Sequence, residues 1–143
     1  MSLIKPNLIL GGYKEAENDV ESWYKSLQVS SVLCVASEFI PPNIESINIK
    51  HIPIVDDDPS ENLSQILPEA VSFVKNELEK GNKVLVHCRS GASRAVCVIF
   101  AVLIELFNYT LIDAYHYVLH KRSQMNIFPP FLDQLQRIYN IKN

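Results

Sequence analysis

The chain reads as an α/β domain: a twisted, mostly parallel central sheet of about four or five strands, with helices on both faces. Short apolar runs rich in valine and isoleucine alternate with longer runs whose apolar residues recur at helical spacing. The runs Ser31 to Ala36 (SVLCVA) and Val84 to Val86 show no polar alternation, as expected of strands covered on both faces. With 143 residues, 48% of them hydrophobic, the chain has enough apolar material for one sizeable core. Residues 1–143 are therefore read as a single domain, without linker, repeat or low-complexity tract.

Each element has its own signal. Ile4 to Leu10, ending at Gly11-Gly12, predicts a first strand and a turn. Ala16, Val20, Trp23, Tyr24 and Leu27 fall on one face of a helix. Ser31 to Ala36 and Lys50 to Val55 are the next strands, and Asp56 to Ser60 is a loop by composition. Ile66, Ala70, Phe73, Val74 and Leu78 predict a helix that stops at Gly81, with Pro68 expected in its first turn. Lys83 to His87 is the fourth strand, and Ala95 to Phe107 an apolar helix. Thr110 and Asp113 form a capping pair for a helix reaching about Arg122, and Pro129-Pro130 open a last one along Phe131, Leu135 and Ile138.

Between the fourth strand and the apolar helix lies His87-Cys88-Arg89-Ser90-Gly91-Ala92-Ser93-Arg94. A tight loop opening a helix presents backbone N–H groups from Arg89, Ser90, Gly91, Ala92 and Ser93, and the helix dipole adds to their field. Such a nest holds a phosphate dianion. Gly91 gives the backbone room to approach it. The same field favours a thiolate, making Cys88 a nucleophile. Arg94 is placed to grip two phosphoryl oxygens at once. A zinc site is disfavoured, because no second Cys or His pair stands at ligand spacing.

Bulk properties narrow the partners. A formal net charge of −3 with no basic stripe gives no sign of nucleic acid or an anionic membrane. The longest apolar stretch is about half of a bilayer crossing. No signal pattern opens the chain, and Ser2 stands where N-myristoylation needs glycine. Three cysteines, Cys34, Cys88 and Cys97, fit a reducing compartment, so the expectation is a cytoplasmic or nuclear monomer.

His87 to Arg94 resembles the signature loop HCxxGxxR of the cysteine-based protein tyrosine phosphatases, and HCRSGASR with this length resembles the small atypical dual-specificity phosphatases. Ile4 to Gly12 resembles their opening strand, Asp57 to Leu63 (DDPSENL) their acid loop, and Phe131 to Leu135 (FLDQL) their closing helix. The resemblance implies hydrolysis of phosphotyrosine and phosphoserine/threonine on a phosphoprotein through a phosphocysteine, without metal or cofactor. It assigns Cys88 as nucleophile, Arg94 as phosphate ligand, Asp57 as general acid and His87 as the residue that tunes the thiolate. Asp56 is the next candidate acid, and Asp58 is expected to cap or solvate its loop. Arg122 stands where relatives carry an arginine near the site, although a last-turn charge complementing a helix dipole accounts for it equally. Cys34, on the strand expected beside the catalytic one, is a candidate to trap oxidised Cys88 as a disulfide, as the resemblance to some relatives implies, or is a buried apolar residue.

Two positions depart from that family. Ala95 replaces the usual Ser or Thr after the signature arginine, and Ile127-Phe128 replace a Pro-Asn pair before the last helix. Two supports of the loop are therefore absent together, and the expectation is either that they are jointly compensated or that turnover is slow. Rival readings are a phosphoinositide or RNA phosphatase, and a phosphate-binding adaptor that does not turn over. The loop's lack of extra lysines argues against phosphoinositides.

Overall fold

A computed structural model describes residues 1–139. Its five-stranded sheet runs in the order β1-β2-β5-β3-β4, with β1 Ser2–Lys5, β2 Leu8–Gly12, β3 Ser31–Ala36, β4 Asn48–Ile54 and β5 Val84–Cys88. Pairings β2/β5, β5/β3 and β3/β4 are parallel, and only β1/β2 is antiparallel. The expected mixed, mostly parallel α/β sheet is the observed one.

The opening strand is corrected. Ile4 to Leu10 is not one strand but a hairpin, turned at Pro6-Asn7. Proline fixes φ and lacks a ladder donor, and asparagine suits a turn, so the segment folds back. The first helix is also shorter than its apolar face suggests. Tyr13–Ala16 forms a 3-10 turn, and Glu17 and Asn18 then adopt left-handed φ of 49° and 71°. Helix α1, Val20–Ser26, starts afresh at Asp19, whose carboxylate accepts from the Ser22 amide.

Four further helices follow among the described residues: α2 Leu63–Glu79, α3 Arg94–Phe107, α4 Leu111–Lys121 and α5 Pro129–Tyr139. Asn62 caps α2 by accepting from the Ser64 amide. Pro68 therefore falls inside α2, past its first turn, where its missing N–H leaves the Ser64 carbonyl without a helical donor. Asn108, at φ 62°, ends α3 in the left-handed conformation. Thr110 caps α4 as its spacing predicted, accepting from Asp113 N at 3.1 Å.

Strand alternation sorts the core. Leu8, Leu10, Leu33, Val84 and Val86 pack with α2, α3, α4 and α5, while Ile9, Val32 and Leu85 pack with Trp23 and Tyr24 of α1. Helix α3 is buried from Arg94 through Leu103, as its unbroken apolar run requires. Glu77 on α2 is a buried carboxylate. It accepts from Ser31 Oγ on β3, from Asn82 (3.1 Å) and from Lys80 (2.9 Å). Burial works to raise its pKa, but these donors win and hold it at about 2.

The topology decides where function gathers. Strands β2, β3, β4 and β5 are mutually parallel, so Gly12, Ala36, Ile54 and Cys88 all end at one edge of the sheet. The segments that follow them meet there, as ligand-binding loops of open α/β sheets do.

Candidate active site

Cys88 ends the central strand and Arg94 begins α3, and both side chains are 2% exposed. The five residues between them turn the chain from strand into helix, with Gly91 at φ 68°. A side chain there would place its Cβ 2.7 Å from the Gly11 carbonyl oxygen and from the Arg122 guanidinium, so glycine is required on two grounds. A Cβ on Gly12, in register with Cys88 on β2, would lie 2.4 Å from the Arg89 carbonyl.

Every carbonyl of residues 88 to 93 accepts a hydrogen bond from outside the loop or from the helix behind it. Cys88 O faces His87 Nδ1 (3.1 Å), and Arg89 O accepts from Lys14 N (3.0 Å). Arg122 donates to Ser90 O (3.0 Å) and Gly91 O (2.8 Å). Asn126 N donates to Ala92 O (2.9 Å), and Cys97 N to Ser93 O (3.0 Å). With the carbonyls bound on one side, the amides of Ser90 to Ser93 have no protein acceptor among the described residues. Unpaired amides at a helix N-terminus are anion donors.

Arg122 is thereby settled. It is not a solvated charge at the end of α4: its side chain is 2% exposed, and it bonds the loop, Glu15 (2.8 Å) and Ser2 Oγ (3.0 Å). Around Ile127-Phe128 the main chain itself reaches the loop. The Phe128 amide donates to Ser93 Oγ (2.9 Å), so backbone groups of 126 and 128 support the loop where a Pro-Asn pair is missing.

His87 is fully buried beneath the loop. A carbonyl can only accept, so Nδ1 carries the proton toward Cys88 O, and Tyr24 Oη donates to Nε2 (2.7 Å). Burial pushes its pKa down to about 4, keeping the ring neutral. His87 thus acts on the backbone of Cys88. By its spacing Tyr24 reads only as core, but a buried phenol needs a partner, and that need is the available signal.

Glu38, two residues past β3, was not anticipated. Its carboxylate takes Arg94 end-on, Nη1 to Oε1 at 2.7 Å and Nη2 to Oε2 at 3.0 Å, while Tyr13 Oη donates to Oε2 at 2.8 Å. The Arg94 hydrogen bonds hold Glu38 at about 2, although its side chain is 39% exposed. Burial, with that donation to Glu38, raises Tyr13 to about 12. Arg94 Nη1 also donates to Ile54 O at 2.9 Å. A guanidinium has five N–H groups. The Nε–H and the second Nη2–H, which form its side-on fork, make no hydrogen bond to protein among the described residues; Asp56 Oδ1 lies 3.5 Å from Nε. That fork suits a phosphoryl group.

Asp57 sits on the exposed loop between β4 and α2 at φ 52°, and its carboxylate makes no hydrogen bond or ion pair among the described residues. Asp56 pairs with Arg94, and Asp58 closes its own turn on Ser60 N (2.9 Å) and Oγ (2.7 Å), as expected of it. Arg89 and Ser90 direct their side chains to solvent. Cys34 lies buried on β3, in register with His87, and burial raises its thiol to about 12. Cys34, Cys88 and Cys97 are all free thiols. Ala95 is fully buried in the first turn of α3.

Comparison with known proteins places this geometry. Residues 8–141 match the family described as dual specificity phosphatase, catalytic domain. Serine/threonine/tyrosine-interacting protein A of Xenopus laevis is 31% identical over 95% of this chain and 63% of its own length. Human dual specificity protein phosphatase 9 is 40% identical over 90% of this chain and 33% of its own length. The chain thus spans less than two thirds of these relatives. The crystal structure of human tyrosine phosphatase-like serine/threonine/tyrosine-interacting protein superposes with a TM-score of 0.85 at 30% identity, covering 99% of this chain and 96% of that one. Human DUSP28, at 24% identity and a TM-score of 0.86, covering 98% of this chain and 96% of that one, shares the fold.

Proposed function

This chain belongs to the dual specificity phosphatase catalytic-domain family, as an atypical member of the cysteine-based tyrosine phosphatase superfamily, and we propose that it hydrolyses phosphate monoesters on protein phosphotyrosine and phosphoserine/threonine. The observation that carries this reading is the outward binding of all six loop carbonyls, which leaves amides and one Arg94 fork for an oxyanion beside Cys88.

The reaction follows from those positions. Cys88, as thiolate, attacks phosphorus and the ester P–O bond breaks. Asp57 delivers a proton to the departing oxygen, so the product leaves as an alcohol or phenol. The loop amides and Arg94 hold the equatorial oxygens as charge shifts onto them. Water then attacks the phosphocysteine, the Asp57 carboxylate takes its proton, and the thiolate is regenerated. Metal enters neither step. Glu38 fixes the plane of Arg94 from behind.

The test is turnover of an aryl phosphate. Cys88→Ser loses it by about 10⁴-fold or more, as removal of a covalent nucleophile does. Chelators leave the rate unchanged, and vanadate blocks it. Asp57→Ala costs about 10²-fold or more on alkyl phosphates and far less on activated aryl esters. A Cys88→Ser protein that keeps its rate ends the proposal. One observation favours a second reading. Ala95 removes the hydroxyl expected to stabilise the leaving thiolate, worth about 1.5–3 kcal/mol, so a phosphate-binding adaptor is the rival. An adaptor binds phosphopeptide and releases no phosphate.

A further inference from the structure

The loop carrying Asp57 is tied down at both ends by named groups. At its entrance the Val55 amide donates to the Glu61 carboxylate, and the preceding Ile54 carbonyl is held by Arg94. At its exit the tie comes from a distant helix. Gln134 on α5 accepts from the Leu63 amide through Oε1 (2.9 Å) and donates from Nε2 to the Glu61 carbonyl (2.8 Å). Glu61 is therefore the shared knot: its side chain closes the entrance and its carbonyl anchors the exit.

A side-chain amide carries the same N–H donor and C=O acceptor as a peptide group, without charge, so Gln134 stands in for a neighbouring strand. It also satisfies the first free amide of α2, which the Asn62 cap does not reach. Between these ties Asp57 occupies φ 52°, in the left-handed region that is uncommon for non-glycine residues and that Asp enters more readily than most. The direction of its carboxyl therefore depends on the ties that hold the two ends of the loop.

We propose that Gln134 is a positioning residue for proton transfer, clamping the exit of the loop so that the Asp57 carboxyl meets the leaving oxygen. The proposal rests on the reading of Asp57 as general acid. Gln134 acts through the backbone, never touching substrate.

Gln134→Met keeps the length of the side chain and removes both hydrogen bonds; Gln134→Ala removes its bulk too. Each is compared with the parent on an alkyl phosphate and on 4-nitrophenyl phosphate, so that the substrate ratio is internal to one folded sample. Two net hydrogen bonds correspond to a loss of about thirtyfold in kcat on the alkyl ester, against less than about twofold on the aryl ester, with KM unchanged. In an Asp57→Ala background, Gln134→Met changes kcat by less than about twofold, because there is no acid left to place. Equal losses on both esters, or a full loss on top of Asp57→Ala, overturn the clamp alone. An Asp57→Ala enzyme without leaving-group dependence overturns the reading of Asp57 and the clamp with it.

Discussion

Replacing Arg122 by alanine withdraws the support beneath the loop, and its cost is read from four contacts. The buried guanidinium holds Ser90 O, Gly91 O, Ser2 Oγ and Glu15 Oε2 at 2.8–3.0 Å. Removing one member of a buried ion pair costs about 3–5 kcal/mol. Glu15 keeps 27% side-chain exposure and recovers water, so the low end applies to the pair. The two loop carbonyls, losing their donor in a dry site, add about 1 kcal/mol each. A total of about 5 kcal/mol is a large share of the roughly 5–15 kcal/mol stability of a domain. Arg122→Lys keeps a charge for Glu15 but lacks the fork that spans two carbonyls, so it loses about 1–2 kcal/mol. Urea unfolding at neutral pH measures both variants. Vanadate inhibition reads the loop itself, and its affinity falls in both as Ser90 and Gly91 lose their anchor. A loss below about 1 kcal/mol in Arg122→Ala, with vanadate affinity intact, refutes the support argument.

Other perturbations follow from single groups. His87 is held at about 4 against 6.5 when free, so the unfolded chain binds the extra proton between those values. Stability is full above 6.5 and drains as pH falls through the window to 4, by about 3 kcal/mol in all, and urea midpoints from pH 7 to 5 measure it. A flat profile there contradicts a neutral buried ring; Glu38 and Glu77, both held at about 2, contribute stability that is lost only at lower pH. Gly91→Ala, with contacts of 2.7 Å awaiting its Cβ, costs well over the roughly 1 kcal/mol of Gly81→Ala, where φ is 81° but nothing lies within 4 Å. Equal unfolding midpoints for the two variants count against the close approach. Ala95 predicts a burst of product followed by slow turnover on rapid mixing, whereas a linear start shows that thiolate departure is not limiting.

Order along the chain carried most of the architecture. Alternating apolar runs, caps such as Thr110 and the strand–loop–helix around Cys88 are local patterns, written in neighbouring residues whose spacing a helix or strand must satisfy. Cys88, the loop proposed to hold phosphate and Arg94 stand out as one constellation for the same reason, since they fall within seven consecutive residues. Where local signals competed, the pattern misled: Pro6-Asn7 cut one apolar run into a hairpin, and Glu17-Asn18 cut one helical face in two. What holds the site in shape came only with the fold. Glu38 behind Arg94, Tyr24 behind His87, Arg122 beneath Gly91 and Gln134 against the Asp57 loop join residues between 31 and 73 positions apart. Each bond is fixed by how a parallel sheet brings its strand ends to one edge, and a single chain offers many acids, phenols and amides with equal claim to those places. Spacing brings Cys88, its loop and Arg94 together; packing alone selects the groups that hold them there.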